Sequence, residues 1–121
     1  MTTIAMTTES FPAEIQKDGI VFIDFWASWC GPCRAFAPIF EEAARKHPDI
    51  TWAKVDTEAE QELAGALEIR SIPTLMVFRD GILLFAQPGL LPAAALDELV
   101  TEVRALDMNE TRQKVTQAKV A

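Results

Sequence analysis

The chain has 121 residues, half of them apolar, and its 18 acidic and 11 basic side chains give a net charge of −7. This length is typical of one domain that buries a single core without a structural metal or disulfide. The negative charge disfavours nucleic acid and anionic membranes as partners, since both carry phosphate charge of the same sign. No segment is long and apolar enough for a membrane span, and residues 1–11 lack the basic and apolar regions of a secretory signal. We therefore expect a cytoplasmic protein.

The first third of the chain predicts a strand, a short helix and a central strand. Residues 2–7 form a candidate short strand, and Ser10 is a candidate cap for a helix that ends near Gly19. Residues 20–27 are an almost continuous apolar run, typical of a strand buried on both faces. Only Asp24 interrupts this run.

The middle of the chain predicts a parallel strand–helix–strand unit. Apolar residues recur at helical spacing over 31–46, where Pro38 is expected to kink the helix. Residues 51–56 alternate like a strand, and 58–67 indicate a second helix. A strand, a helix and a strand in succession predict a right-handed crossover and parallel pairing.

The last third predicts a hairpin and a helix that covers the sheet. Residues 74–79 and 82–87 flank an Asp-Gly pair at positions 80 and 81, a strong signal for an antiparallel hairpin. Pro92 suits the first turn of a helix. The apolar stripe of this helix consists of Leu96, Leu99, Val100, Val103 and Leu106. We expect a domain over 1–107 and an extension over 108–121, either a fraying continuation of the last helix or a mobile tail.

The two cysteines of the chain lie three positions apart in the run Trp29-Cys30-Gly31-Pro32-Cys33, where the central strand gives way to a helix. A helix N-terminus stabilises negative charge, so the Cys30 thiolate is favoured and Cys30 is the expected nucleophile. Cys33, one turn further on the same face, is expected to be less exposed and to act as the resolving thiol. Gly31 permits close approach of a partner backbone, and Pro32 costs no hydrogen bond in a first turn.

Two other roles of the cysteine pair, in a zinc site or in a structural disulfide, are less favoured. A structural zinc needs four ligands, but the chain has no third cysteine and a single histidine, His47, which is expected to end a helix in solvent. A purely structural disulfide across so short a loop would constrain the unfolded chain little. Reversible redox chemistry is therefore favoured, with no metal.

Two interpretations of Asp24 are open, one structural and one functional. As a strand-end carboxylate it could reach water or cap a turn, and as a buried acid beneath the dithiol it would have a raised pKa. Burial of an unpaired carboxylate is costly, and perturbed acids cluster at active sites, so the functional reading is favoured.

The sequence resembles the thioredoxin family in the order and spacing of its motifs over residues 20–106. The matching segments are 24–34, Pro38, 54–56, 72–74 and Gly89. The resemblance implies the thioredoxin fold, an α/β architecture with a central mixed sheet of four to five strands, part parallel and part antiparallel hairpin. Helices cover both faces of this sheet, and the dithiol lies at a helix N-terminus.

The resemblance also implies roles for residues around the dithiol. It assigns Asp24 proton transfer to and from Cys33, and it brings Lys54, which the residues alone favour as an ordinary solvated lysine, close enough to modulate the pKa of Asp24. Pro73 could merely open a strand, but the family implies a cis peptide between Ile72 and Pro73 that faces the dithiol.

The same resemblance indicates a substrate-binding surface. Its members are Trp29, Ile72, Pro73 and Gly89. This chain departs from many thioredoxins around that surface, at Thr57, Ser71 and Pro88. The departures leave the reaction type unchanged and the preference among substrates open.

The predicted activity is that of a protein-disulfide reductase with a reversible Cys30–Cys33 couple and no bound cofactor. The family implies recycling by a thioredoxin reductase, which uses FAD and NADPH, and the chain is expected to be a monomer. Three rivals stay open: an oxidant or isomerase of the same fold, for which a histidine in place of Pro32 is typical; a binding module independent of redox state; and a dedicated reductant for one enzyme.

Overall fold

The computed structural model describes the backbone of residues 2–120 and the side chains of residues 2–115. The strands are β1 (Ile4–Ala5), β2 (Ile20–Trp26), β3 (Thr51–Asp56), β4 (Thr74–Arg79) and β5 (Ile82–Pro88). The helices are α1 (Phe11–Gln16), α2 (Gly31–Lys46), α3 (Gln61–Ala66), α4 (Ala93–Ala105) and α5 (Met108–Val120). The strands form one sheet in the order β1-β3-β2-β4-β5, which confirms the predicted α/β class and mixed sheet.

The pairing directions follow from the connections between strands. Helix α2 carries the chain across the sheet, and β2 and β3 pair in parallel, as β1 and β3 also do. Strand β4 is antiparallel to both β2 and β5. The β4–β5 turn is tight, since Asp80 and Gly81 have φ of 52° and 83°. Two successive positive φ values are what a two-residue hairpin turn requires, so the Asp-Gly prediction is confirmed.

The apolar core lies on both faces of the sheet. Helices α2 and α4 cover one face and α1 and α3 cover the other. The main side chains between sheet, α2 and α4 are Phe22, Phe36, Phe40, Trp52, Val77, Leu96 and Val100. Those between sheet, α1 and α3 are Phe11, Ile23, Phe25, Val55, Leu63 and Phe78. Strand β2 is therefore buried on both sides, as its apolar run predicts. None of the described helices combines the length and the apolarity needed to cross a bilayer.

The N-terminal elements are shorter than the sequence predicts. The backbone amide of Thr7 donates to Ser10 Oγ at 2.9 Å, and the amide of Ser10 donates to Thr7 Oγ1 at 3.1 Å. This pair of bonds turns the chain after β1, so the Ser10 side chain does not cap α1. Helix α1 ends at Gln16 because Lys17 is already extended, with ψ of 147°. Ser10 therefore occupies the predicted N-cap position, but its side chain makes no capping hydrogen bond.

The predicted helix over 58–67 loses its first turn. Asp56 Oδ1 accepts the backbone N–H of Glu58 at 3.0 Å, which holds a turn directly after β3. An aspartate that bonds the amide two residues ahead competes with helix formation. Helix α3 consequently begins only at Gln61.

The segment after α4 forms a separate helix, where a frayed continuation or a tail was expected. Leu106 has an extended ψ of 139° and ends α4. Asp107 then accepts the backbone N–H of Glu110 at 3.1 Å, and Met108 is only 8% exposed. The sequence did contain a cap, since an aspartate followed three residues later by a glutamate is a helix-start pattern.

Candidate active site

The loop between β2 and α2 is held by hydrogen bonds to its own backbone. The amide of Cys30 donates to the carbonyl of Ala27 at 3.2 Å, and Arg34 Nη1 donates to the carbonyl of Ser28 at 3.0 Å. Ala27 is fully buried between these groups. The bonds fix the point at which the chain enters α2, and Arg34 is a supporting residue that sequence reasoning did not identify.

The dithiol lies at the N-terminus of α2. Cys30 is the N-cap residue, and its Sγ accepts the backbone N–H of Cys33 at 3.2 Å. The two cysteines form a disulfide with their Cα atoms 5.2 Å apart. Gly31 and Pro32 make up the first turn of α2, as predicted. After reduction the same amide and the helix dipole favour a thiolate on Cys30.

The two cysteine residues are almost equally buried in this disulfide form. Cys30 is 4% exposed and Cys33 is 3% exposed, so the expected difference in exposure is absent. Both pack with Ala27, Trp26 and Ile72, which close over the pair as a unit. What distinguishes the cysteines is their position on the helix, since only Cys30 receives an amide from the turn that follows it.

Two other loops meet the dithiol. The peptide between Ile72 and Pro73 is cis, as the family resemblance implies, and the Ile72 carbonyl oxygen lies 3.6 Å from Cys30 Sγ. The amide of Gly89 donates to the Pro73 carbonyl at 2.7 Å. Gly89 has φ of 96°, which L side chains rarely adopt, so glycine is needed at this position. Ile72 thus lies beside Cys30, and Gly89 is bonded to the loop that Ile72 and Pro73 form.

Trp29 is the most exposed part of this surface, with 65% of its area accessible. Its Nε1 donates to Glu58 Oε1 at 2.7 Å, which orients the indole ring. Glu58 was missed as a site residue. A signal existed, because β2 and β3 are parallel and the residues just beyond their carboxyl ends must meet at one edge of the sheet.

Asp24 is fully buried in the middle of β2. Neither of its carboxylate oxygens has a hydrogen-bond partner among the described residues. Burial raises the pKa of Asp24 from 3.8 to about 7, against a smaller lowering by the positive charge of Lys54. The carboxyl group can therefore hold or release a proton near neutral pH.

Lys54 is the register neighbour of Asp24 on β3. Its Nζ lies 5.2 Å from the centre of the Trp26 ring, within the range of a cation–π contact. Lys54 and Cys33 both line a small cavity of about 110 Å³ beside the loop. Lys54, the register neighbour of the buried acid, thus shares this cavity with the second cysteine.

His47 lies at the other end of α2, away from the dithiol. It is the C-cap residue of that helix, and its Nε2 is 3.6 Å from Asp97 Oδ1. Among the residues that the structure describes, no three His, Cys, Asp or Glu side chains cluster as a metal site would require. The two cysteines pair with each other in a disulfide.

A reversible disulfide at a helix N-terminus, facing a cis-proline loop on a mixed sheet, defines a thiol-disulfide oxidoreductase that acts on protein disulfides. Residues 2–102 match the family model described as Thioredoxin. The chain is 50% identical to "Putative thioredoxin 2" of Streptomyces coelicolor, over 95% of this chain and 86% of that protein. It is 42% identical to the thioredoxin of Bacillus subtilis, over 84% and 98% of the two chains.

Solved structures agree with the sequence relatives. A mutant thioredoxin from Halobacterium salinarum superposes with a TM-score of 0.78 at 31% identity, over 87% of this chain and 92% of the other. Plasmodium falciparum thioredoxin gives a TM-score of 0.74 at 30% identity, over 83% and 97%. The chain belongs to the thioredoxin family.

Proposed function

We propose that this chain reduces disulfides in other proteins, with Cys30 as the attacking nucleophile and Cys33 as the resolving thiol. The observation that carries this assignment is the backbone N–H of Cys33 directed at Cys30 Sγ at 3.2 Å, at the N-terminus of a sixteen-residue helix. An amide and a helix dipole stabilise a thiolate at that position. A thiolate, not a thiol, attacks a disulfide.

The reaction consists of two exchanges. The Cys30 thiolate attacks one sulfur of the substrate disulfide, forms a mixed disulfide and releases the other substrate sulfur as a thiolate. The Cys33 thiolate then attacks the Cys30 sulfur, forms the intramolecular disulfide and releases the second substrate thiolate. The substrate gains two electrons and the dithiol loses two.

Asp24 is the proposed acceptor of the Cys33 proton, and Lys54 the proposed modulator of its pKa. A carboxyl group with a pKa of about 7 is partly ionised at neutral pH, so it can take the proton that Cys33 must lose. The positive charge of Lys54 lowers the same pKa, which keeps Asp24 from being fully protonated. The cavity that Lys54 and Cys33 share supports this coupling.

Trp29, Ile72, Pro73 and Gly89 are the proposed substrate-binding surface. The exposed indole of Trp29 offers apolar area next to Cys30, and Ile72 contacts its sulfur through a carbonyl oxygen. An extended substrate segment could pair with backbone groups of this loop while its disulfide reaches Cys30. The function requires such a surface, because the attacking sulfur is itself only 4% exposed.

Regeneration of the dithiol is proposed to depend on a thioredoxin reductase that passes electrons from NADPH through FAD. We further propose that the protein acts in the cytoplasm as a monomer, with a catalytic domain over 1–107 and an extension over 108–121. The family match, which spans residues 2–102, supports this division.

The reduction potential of the Cys30–Cys33 pair is the direct test of the reducing role. We expect a value near that of thioredoxins, about −270 mV, when the protein is equilibrated in graded thiol buffers and followed by tryptophan fluorescence. A value of about −120 to −180 mV, as in oxidants and isomerases, would reverse the proposed direction of electron flow.

Turnover of a protein disulfide with NADPH and thioredoxin reductase tests the proposed recycling. A Cys30→Ser, Cys33→Ser variant should lose that turnover, whereas a pure binding module would retain its partner.

A further inference from the structure

A groove runs between α4 and β5, the strand at one end of the sheet order. Two cavities of about 280 Å³ and 220 Å³ lie along it, and they share Phe85, Leu99 and Glu102, so they are parts of one depression. Its apolar lining consists of Leu84, Phe85, Leu91, Leu99, Val103 and Leu106. Leu106, at the end of this lining, is 40% exposed.

The groove carries two glutamates that have no ion-pair partner among residues 2–115. Glu98 and Glu102 line it one helical turn apart, and neither forms an ion pair within the described part of the chain. The other charged side chains of α4 do: Asp97 pairs with Lys46 and Arg104 pairs with Asp49. Two like charges at this spacing disfavour an isolated helix, and a cation placed between them would remove that repulsion.

One end of the groove is close in the chain to Gly89, which bonds the loop beside the dithiol. Gln87 and Leu91 line its upper end, on either side of Gly89 in the chain. Gly89 in turn donates to the Pro73 carbonyl beside Cys30. A segment bound in the groove would therefore be held close to a disulfide positioned at Cys30.

We propose that this groove, here called the α4–β5 groove, binds a basic segment of a protein that exchanges disulfides with the dithiol. The segment carries leucine or phenylalanine side chains for the apolar floor and flanking lysine or arginine for Glu98 and Glu102. A second copy of the chain is disfavoured, because each copy carries a net charge of −7 and two facing grooves would bring four glutamates together. The proposal rests on the reducing function proposed above, since it names a class of partner for the same site.

Binding in the groove is tested first without any disulfide. The probe is a short fluorescein-labelled peptide, free of cysteine, in which leucine and phenylalanine are flanked by lysine. Fluorescence anisotropy should show it binding to the intact protein and about tenfold more weakly to Glu98→Lys, Glu102→Lys, where attraction becomes repulsion. Both positions are exposed, so the variant keeps the core.

The matched control is Glu9→Lys, Asp18→Lys, which changes the net charge equally at exposed positions that flank α1, on the other side of the sheet. It should bind the probe like the parent protein. Equal weakening in both variants would reduce the effect to net charge, and absence of binding to the parent would also overturn the proposal. A dimer of the parent protein in sedimentation equilibrium, with a dissociation constant that the Glu98→Lys, Glu102→Lys variant changes, would also overturn it.

A kinetic comparison separates this proposal from the reducing function itself. Two peptide disulfides are used, identical except that one bears the leucine–lysine segment on a flexible linker and the other a serine–glutamate segment. The first should have a roughly tenfold lower KM at unchanged kcat, because binding outside the reacting centre acts on ground state and transition state alike. Equal KM values overturn the groove proposal, whereas failure to reduce either peptide overturns the reducing function.

Discussion

Asp24 and Asp49 lie towards opposite ends of α2 and occupy opposite environments. Asp24, near the dithiol end, is fully buried without a hydrogen-bond partner among the described residues, and its pKa is raised to about 7. Asp49, just past the C-terminus of α2, is exposed and bonds Arg104 at 2.6 Å and 3.0 Å. The hydrogen bonds with Arg104 lower its pKa to about 2. At neutral pH the Asp24 carboxyl group is therefore partly protonated, whereas the Asp49 carboxyl group is ionised.

The contrast shows what each end of the molecule requires. Ion pairs at the surface, such as Arg104–Asp49 and Lys46–Asp97, hold α4 against the end of α2 and leave stability almost independent of pH near neutrality. A group that must move a proton needs the reverse, namely a pKa close to the working pH. Burial without a partner gives Asp24 such a pKa, at a cost in stability, and this suits the proton-transfer role proposed for it.

The largest effect is expected from substitution of the two cysteines, which should abolish disulfide exchange. Cys30→Ser should lower turnover of a protein disulfide at least about a thousandfold, since the nucleophile is lost. Cys33→Ser should accumulate a mixed disulfide with the substrate, visible by mass spectrometry, because the resolving thiol is missing. Arg104→Ala, at the other end, is the control and should leave turnover unchanged. The reverse pattern, with the adduct on Cys33, would exchange the two roles.

The next largest effect is expected from Asp24→Asn, which should change the pH dependence of the free energy of unfolding. The pKa of Asp24 is about 7 in the folded state and about 3.8 in the unfolded state, so between these pH values the folded protein keeps a proton that the unfolded chain has lost. The free energy of unfolding therefore falls as pH rises from about 4 to about 7, and it stays low above pH 7. The shift corresponds to about 4 kcal/mol. Asp24→Asn should therefore stabilise the protein by up to about 4 kcal/mol at pH 8 and by little at pH 4, in urea unfolding.

The same variant tests the catalytic role. If Asp24 accepts the Cys33 proton, Asp24→Asn should prolong the mixed disulfide and remove the titration near pH 7 from the rate of its resolution. A stabilised protein with an unchanged pH–rate profile would leave Asp24 as a buried acid without a catalytic function.

A smaller effect is expected from two glycine substitutions with the same local strain. Gly89 and Gly19 have φ of 96° and 108°, and an added Cβ would contact nothing within 4 Å at either position. Each change to alanine should thus cost about 1–2 kcal/mol of backbone strain. Gly89→Ala should also raise the KM for protein substrates, since Gly89 bonds the loop beside Cys30. An equal rise in KM for Gly19→Ala would show that strain alone, and not position, is responsible.

The smallest effect is expected from Asp49→Asn. The lowered pKa means that the Asp49–Arg104 contact contributes above pH 3.8 and is lost as pH falls towards 2. Because Asp49 is exposed, the loss at pH 7 should be slight, and the variant should differ from the parent even less in strong acid. Thermal unfolding at both pH values measures this, and any fall in disulfide turnover would contradict the separation of the two ends.

Much of the fold could be predicted from local patterns. The buried strand over residues 20–27, the hairpin at Asp80 and Gly81, and the crossover helix from Gly31 depend on periodicity and turn chemistry within short windows. The errors fell where side chains override such patterns. Ser10 lies at the N-cap of α1, but its side chain bonds Thr7 and not the helix, and Asp107 begins a helix that the polar composition concealed.

The sequence by itself determined the class of fold, the position of the dithiol at a helix N-terminus and the presence of an acid within the central strand. These are local properties, because they depend on residue type and on spacing along the chain. Only the tertiary structure decided that Glu58 orients Trp29 and that, among the described residues, Asp24 has no hydrogen-bond partner and the two glutamates of the α4–β5 groove have no ion-pair partner. Each of these depends on which distant residues come together, and burial and charge act through space, not along the chain.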